Sequence, residues 1–461
     1  MKLFGTTRSG ARLAKNMARS RTSHGAAAVQ APQKKQRNPL KALAIILLIL
    51  LALELCYFYC IYTSNAFVSQ WRTIYIETAM DTLNHKWLAN AIIPRNIIAQ
   101  VMDSRNQSLA EMEGLESTWG DLQPEQNPET PPAMQEEESQ ENEQIEITVI
   151  PEEEQADPQE AAREAFYQLF HELDVESMDA FAAEHPEVLV NGWEGIRINK
   201  AGQDYEGIDV YTTQGERVLA IDAPNKLLLL QVEGGGLDFY QGVLAICKDN
   251  TRLSLEISSK LGTAGEYAGT IASANGGILA ISGSGYDDPD GNGNGGIVAG
   301  FSMSNGEIYS TAHMGWGFKR LELHEDNLFY IKDANSQHAE GTTDAMEFQP
   351  ALIIDGEIVV DANCGWTGLH PRSVIGQNDK FEILMLVIEG RMPTRSVGTH
   401  VIECAEILKR YGCMQAMNMD GGTSAIMWYD GEYITKCNNA NLPSGRPMPN
   451  AWVYSPAERK E

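Results

Sequence analysis

Residues 416–433 read AMNMDGGTSAIMWYDGEY. Two largely apolar runs, MQAMNM and SAIMWY, flank Asp420-Gly421-Gly422-Thr423, and a second Asp-Gly pair, Asp430-Gly431, follows ten residues after the first. Short apolar runs punctuated by Asp-Gly read as strands joined by tight turns. The chain supplies its own controls. LIIDGEIVV and MWYDGEYIT place Asp355-Gly356 and Asp430-Gly431 in near-symmetric surroundings, so both are expected to be plain hairpin turns. Asp420 differs, because a second glycine and then two hydroxyl residues, Thr423 and Ser424, come after it. Two glycines free the backbone to turn several N–H groups toward one point, an anion-binding nest beside a carboxylate. Taken locally, a turn and a site both fit.

Just upstream, KFEILMLVIEG reads as a strand and THVIECAEILKRYG as an amphipathic helix ended by Gly412. Further back, GIDVYT, RVLAID, KLLLLQV, GVLAIC and LSLEIS read as short strands separated by glycine-rich turns. Residues 187–456 are thus expected to form one α+β unit, a mixed β-sheet core with flanking helices. An amphipathic helix over 158–186 precedes it, with Ala161, Ala165, Leu169 and Leu173 at helical spacing.

The 461 residues exceed one ordinary domain, and the charge is unevenly placed. Residues 1–41 hold ten Lys/Arg and no acid, so of the 35 basic and 63 acidic residues the remainder carries 25 and 63, a net of −38. That balance excludes nucleic acid as a partner. The basic arm is followed by ALAIILLILLALELCYFYCI, residues 42–61, with Glu54 as its single charge. Twenty residues at ~1.5 Å each span about 30 Å, the thickness of a bilayer core. The expectation is a transmembrane helix over 42–62, with the arm 1–41 cytoplasmic and everything after it extracellular. The arm is long and no clear cleavage site follows, which disfavours a removed signal peptide. Residues 63–103 read as membrane-proximal helices ending near Pro94. Residues 104–157 read as an acidic disordered linker, because positions 121–160 hold fourteen Asp/Glu, six Pro and no Lys/Arg. Of seven cysteines, five lie beyond the apolar stretch and none forms C-x-x-C, so neither a zinc cluster nor a disulfide framework is indicated.

Two further stretches carry candidate chemistry. In HPRSVIGQ, Arg372 and Ser373 follow a proline just before a strand, and arginine offers a planar fork for phosphate or carboxylate. In ASANGG, Asn275 is placed after a small-residue strand. Downstream, DPDGNG matches the first half of a calcium loop through Asp288, Asp290 and Asn292. Ala299 stands where the bidentate Glu of an EF-hand would be, so an EF-hand is rejected. A weaker site for a divalent cation such as Ca2+ and an Asn/Asp/Gly-rich turn both remain readings of that loop. No G-x-S-x-G, Walker loop or paired-histidine motif is present.

In order, ASANGG, GSGYDDPDGNGNGG, GWTGLHPRSVIGQ, LMLVIEGRMPTRSVGTH, AMNMDGGTSAIMWYDGEYI and RPMPNAWVYS resemble the phosphodiester glycosidase family over roughly residues 187–456. The family's N-x-D-G-G-[GS]-S pattern is met by Asn418, Asp420, Gly421, Gly422 and Ser424, with Thr423 where Gly or Ser is usual. Pro371 to Gly376 stand for its P-R-T-A-I-G, and either Asn275 or the Gly283–Gly285 run stands for its I-N-G/A-G-F. The resemblance implies hydrolysis of a sugar-1-phosphodiester at the anomeric carbon. It implies Asp420 as base or nucleophile, with Arg372, Asn275, Ser373, Asn418, Gly421, Gly422, Thr423, Ser424 and Arg446 around the sugar and phosphate. It places the substrate among carbohydrates of the cell surface or of exopolysaccharides. Two alternatives stand beside it: an ordinary glycoside hydrolase using a carboxylate pair such as Asp288 and Asp420, and a glycan-binding or structural ectodomain that kept the fold and lost the chemistry.

Overall fold

The computed structural model describes residues 39–82, 85–120, 157–236, 238–287, 293–361 and 365–457, and the chain divides into two units, Met1–Tyr59 and Cys60–Glu461. In the first unit the apolar stretch forms helix α1 (Pro39–Tyr62), which runs through residue 59. Its side chains are exposed along almost its whole length, and it is long and apolar enough to cross a membrane.

The second unit opens with α2 (Ala66–Met80), α3 (Lys86–Ile92) and α4 (Arg95–Met112). Asn65 caps α2 by accepting from the Val68 amide. The three helices close a small core of their own around Ile76, Ala89 and Ile98. Pro94 does not end the helical segment but starts α4, where its missing N–H is one the first turn leaves unpaired in any case. Residues 104–120 do not fit the linker expected over 104–157, because 104–112 complete α4 and within 113–120 the Ser117 amide donates to Ile331 O at 3.0 Å. Trp119 is buried, and its indole donates to the Phe329 carbonyl at 2.8 Å. Residues 121–156 lie outside the described residues. The helix expected over 158–186 is two helices, α5 (Pro158–Leu169) and α6 (Val175–Glu184). Between them Phe170 and Leu173 are buried and Asp174 caps α6.

The strands are β1 (Arg197–Asn199), β2 (Val218–Asp222), β3 (Leu227–Gly234), β4 (Tyr240–Cys247) and β5 (Leu253–Ile257), followed by helix α7 (Ala268–Ala274). Next come β6 (Leu279–Ser282), β7 (Phe301–Ser304), β8 (Glu307–Thr311), β9 (Lys319–His324), β10 (Phe329–Asp333) and β11 (Thr342–Phe348). The series continues with β12 (Ala351–Ile354), β13 (Glu357–Ile358), β14 (Arg372–Asn378) and β15 (Ile383–Ile388). Helix α8 (Val401–Arg410) precedes β16 (Cys413–Asn418), β17 (Met427–Tyr429), β18 (Glu432–Tyr433) and β19 (Asn450–Tyr454). GIDVYT, expected as a strand, forms no ladder; it contributes isolated bridges while Ile208 and Val210 are buried.

Three sheets result: β1-β2-β3-β4-β15-β14-β16-β12-β13, β10-β9-β11-β7-β8 and β18-β17-β6-β19-β5. In the nine-stranded sheet the pairings are antiparallel. Both of its faces are covered, so its central strands read as continuous apolar runs. On β15, Leu384, Leu386 and Ile388 pack with α5, α6 and α8, while Ile383, Met385 and Val387 pack with the two smaller sheets. Helix α8 is bounded as its sequence dictates. The His400 ring caps its start by accepting from the Glu403 amide at 3.1 Å, and Gly412 takes φ +73° just past its end.

The two control turns are hairpins. Asp355 and Gly356 have φ +48° and +81° between β12 and β13, and Asp430 and Gly431 have +46° and +96° between β17 and β18. Both are two-residue loops of the type that matches strand twist. The Asp420 stretch is different, since it carries the chain out of the nine-stranded sheet at β16 and into another sheet at β17.

Candidate active site

Why two glycines follow Asp420 is visible in the space around them. A Cβ on Gly421 would lie 2.7 Å from the Pro371 carbonyl oxygen, and Gly422 sits at φ +61° with the Arg391 guanidinium 3.1 Å from where its Cβ would be. The turn is thus pressed between the start of β14 and Arg391. Its amides are largely committed. Gly422 N–H donates to Pro371 O at 3.1 Å, Ser424 N–H to Gly421 O at 3.0 Å, and Gly421 N–H to the Asp420 carboxylate. The anion nest expected at Gly421–Ser424 is therefore not an open set of donors, and the cationic groups that face Asp420 come from side chains.

Those side chains are Arg391 and Arg446. Both lower the Asp420 pKa, as do the Ser424 side chain and the Gly421 amide, yet burial outweighs them and leaves the carboxyl at about 6. Arg391 itself stands at φ +58°, an uncommon conformation for a residue with a side chain. The loop that imposes it is tied down. Glu389 accepts from Tyr205 Oη at 2.7 Å, from the Lys436 amide at 2.6 Å and from Arg395, while Arg391 N–H donates to Val397 O at 3.1 Å. The Arg446 guanidinium donates to Tyr286 Oη.

Asp420, Arg391 and Arg446 line a cleft of about 740 Å³ together with Arg372, His370, Trp366, Gln349, Asn418, Thr423 and the two glycines. A further wall comes from far upstream, through Asp81, Thr82, His85 and Arg105 of the α2–α4 segment. Glu77 fastens that wall, accepting from the amides of Trp366 at 3.1 Å and Thr367 at 2.5 Å and from the Thr367 hydroxyl at 2.7 Å. Arg105 stacks over the Trp366 ring at 3.9 Å. Polar side-chain atoms without a hydrogen-bond partner collect at this cleft: Gln349 Oε1, Trp366 Nε1 and Asn418 Oδ1 belong to lining residues, and the Ser373 hydroxyl sits beside them on β14. Buried polar groups are otherwise nearly always paired, so this grouping points to a polar ligand.

The structure brings most of the sequence candidates together. Asn418, Asp420, Gly421, Gly422, Thr423, Arg372 and Arg446 share the cleft, and Ser373 and Ser424 adjoin it. Arg372 is less free than expected, since it donates to Gly368 O at 2.7 Å and to Thr399 O at 3.0 Å, and burial brings its pKa down to about 10. Asn275 stands elsewhere. ASANGG is the end of helix α7 rather than a strand, and Asn275 is exposed with its amide capping the Ile271 carbonyl at 2.9 Å. Small residues occupy α7 because it packs closely on its neighbours; a Cβ on Gly269 would fall 2.5 Å from Trp428. The alternative run, Gly283–Gly285, follows Ser282, whose hydroxyl donates to Asp420 O at 3.0 Å. Asp288, Asp290 and Asn292 lie outside the described residues, so the structure does not bear on the cation loop. Arg391, His370 and the upstream wall were missed by sequence reasoning. For Arg391 the available signal was its place within EGRMPTRS, directly after a strand.

Residues 271–455 match the sequence model of the phosphodiester glycosidase family. Among curated proteins, the SPbeta prophage-derived uncharacterized protein YomE of Bacillus subtilis (strain 168) is 26% identical over 110 residues, which is 23% of this chain and 17% of that protein. This chain thus matches about a sixth of that relative's length. Among solved structures, the catalytic domain of zebrafish N-acetylglucosamine-1-phosphodiester alpha-N-acetylglucosaminidase, auto-inhibited by its pro-peptide, aligns with TM-score 0.43 and 14% identity over 57% of this chain and 88% of that one. A hypothetical protein from Synechocystis aligns with TM-score 0.37 and 14% identity over 53% and 65%.

Proposed function

We propose that this protein hydrolyses a sugar-1-phosphodiester, breaking the bond between the anomeric carbon and a phosphodiester oxygen. The observation that carries the reading is Asp420, a carboxyl with a pKa near 6 that shares one cleft with two guanidiniums, Arg391 and Arg446. As the C–O bond breaks, its electron pair leaves with the phosphate, which is already a stable anion. Strong general-acid help is then unnecessary, and one carboxylate suffices where an ordinary glycosidase needs two. Arg391 and Arg446 hold the leaving phosphate, and Asp420 takes a proton from the attacking water or itself attacks the anomeric carbon. Arg372 acts with them by holding the Gly368 and Thr399 backbone around the phosphate position. The family match over 271–455 supports the same chemistry.

The apolar helix and the basic arm before it support a membrane-anchored enzyme whose domain faces outward, with glycans of the cell surface or exopolysaccharides as its substrates. Protease digestion of intact cells checks this orientation, which requires residues 160–461 to be cut from outside. For the activity, the full chain in detergent is presented with a panel of sugar-1-phosphodiesters and the matching neutral nitrophenyl glycosides. The phosphodiesters should turn over and the neutral glycosides should not, with Asp420→Asn losing roughly a thousandfold or more. Preference for neutral glycosides would sink the reading in favour of an ordinary glycosidase, and binding without turnover would leave a glycan-binding domain.

A further inference from the structure

The wall built from α2 to α4 carries more than shape. His370, nine-tenths or more buried at the cleft, accepts from Arg391 Nη2 through Nδ1 at 3.0 Å. A guanidinium only donates, so Nδ1 must be the unprotonated nitrogen and the ring proton sits on Nε2. That Nε2 is buried without a hydrogen-bond partner, and the acceptor it faces is Asp81 Oδ2 at 3.6 Å, longer than a hydrogen bond but close enough for the N–H dipole to meet the carboxylate charge. Asp81 is in turn paired with Arg105. The charged groups around the ring are thus Asp81 on one side and Arg391 with Arg372 on the other.

We propose that Asp81 is a positioning residue for Arg391: by holding the Nε2–H tautomer of His370, it keeps the lone pair of Nδ1 aimed at the guanidinium that stands against the Asp420-Gly421-Gly422 turn. The two ring nitrogens cannot exchange roles without turning an N–H toward Arg391, which would repel the guanidinium. The ring is held neutral, its pKa brought down to about 4 chiefly by burial, whereas desolvation at Asp81 is outweighed by His370 and Arg105, which keep it ionised at about 2. The direct consequence is that a segment upstream of the family domain sets the geometry of an anion-binding group inside it. The inference rests on Arg391 being a phosphate-holding group, as argued above.

The test is calorimetric titration of inorganic phosphate into the full chain in detergent, for the wild type, Asp81→Ala, Asp81→Asn, Arg391→Ala and the double variant Asp81→Ala/Arg391→Ala. Loss of one charge-assisted positioning contact should weaken phosphate binding about tenfold in Asp81→Ala. Asp81→Asn keeps an acceptor for the Nε2 proton and should recover part of the loss at an unchanged melting temperature. In the Arg391→Ala background, Asp81→Ala should have no further effect, because the residue it acts on is gone. The proposal is overturned if the wild type binds no phosphate, if Asp81→Ala binds as the wild type does, or if the same loss persists without Arg391. Coupled phosphate binding in a protein that turns over no phosphodiester would overturn the functional reading and leave this one standing; turnover with uncoupled binding would do the reverse.

Discussion

Asp420→Asn should make the protein inactive and, at neutral pH, more stable. Burial moves the Asp420 pKa from 3.8 to about 6, so ionising this carboxyl is harder in the folded chain than in the unfolded one. The sign follows from linkage: below pH 3.8 both states are protonated and nothing is lost, between 3.8 and 6 the folded state is progressively penalised, and above 6 the penalty is complete. Two units at ~1.4 kcal/mol each give about 3 kcal/mol, and because Asp420 lies on an open cleft, solvent trims this toward about 1–3 kcal/mol. Asparagine fills the same space without the charge. The apparent Tm of Asp420→Asn should therefore exceed that of the wild type by a few degrees at pH 7.5, and the gain should shrink to about a third at pH 4.5. In the wild type the same titration should appear as an acid limb near pH 6 in kcat/KM, falling about tenfold per unit below it. A variant that melts below the wild type at pH 7.5, or keeps its whole advantage at pH 4.5, would refute the reasoning, because the charge on Asp420 would then be stabilising or irrelevant.

Arg446→Gln removes one of the two charges that oppose burial, so the acid limb should move upward by roughly a unit whatever happens to its height; an unmoved limb would show that Arg446 does not act on Asp420. Gly421→Ala places a methyl group 2.7 Å from Pro371 O and should displace the Asp420 turn, removing turnover while leaving most of the fold. Asp355→Asn and Asp430→Asn make a matched pair at twin turns. Asp355 accepts from the Thr118 and Trp119 amides, the Thr118 hydroxyl and Gln415, so its replacement should cost about 1–3 kcal/mol, whereas exposed Asp430 should tolerate Asn within about 0.5 kcal/mol; equal denaturation midpoints would contradict the packing of residues 113–120.

What was legible in the sequence was local. Asp355-Gly356 and Asp430-Gly431 announced their hairpins because a two-residue loop with positive φ at both positions admits few residue pairs. Helix α8 was legible from its amphipathic spacing and from Gly412 at its end, whereas the His400 cap at its start came from the structure. Asp420 was eligible from its second glycine, but what makes it a candidate is spatial: its desolvation and the approach of Arg391 and Arg446 are set by loops distant in sequence. Asn275 shows the converse. A run of small residues can mean an extended segment or a helix pressed against its neighbours, and only the position of Trp428 beside Gly269 separates the two. The bounds 104–157 drawn for the acidic segment also took in residues 104–120, where α4 is completed and one buried indole, Trp119, fastens a polar stretch that composition alone would leave in solvent.

The largest illegible feature has the widest consequence. Glu77 and the Thr367 amide are 290 residues apart in sequence and 2.5 Å apart in the fold, and no periodicity or motif encodes such a pairing. Glu77 is fully buried, and each of its carboxylate oxygens accepts from a backbone amide of the 366–367 loop. Removing the α2–α4 segment would leave those amides without their acceptors, uncover Trp366 from Arg105 and strip His370 of Asp81. Residues 271–455, the part that matches the family, contain Asp420, Arg391 and Arg446 but not the wall that faces them. The nine-stranded sheet likewise draws β1 to β4 from before residue 271. The cleft therefore belongs to the chain from α2 onward rather than to residues 271–455 alone, and the helices that follow α1 in sequence are part of what gives that cleft its shape and charge.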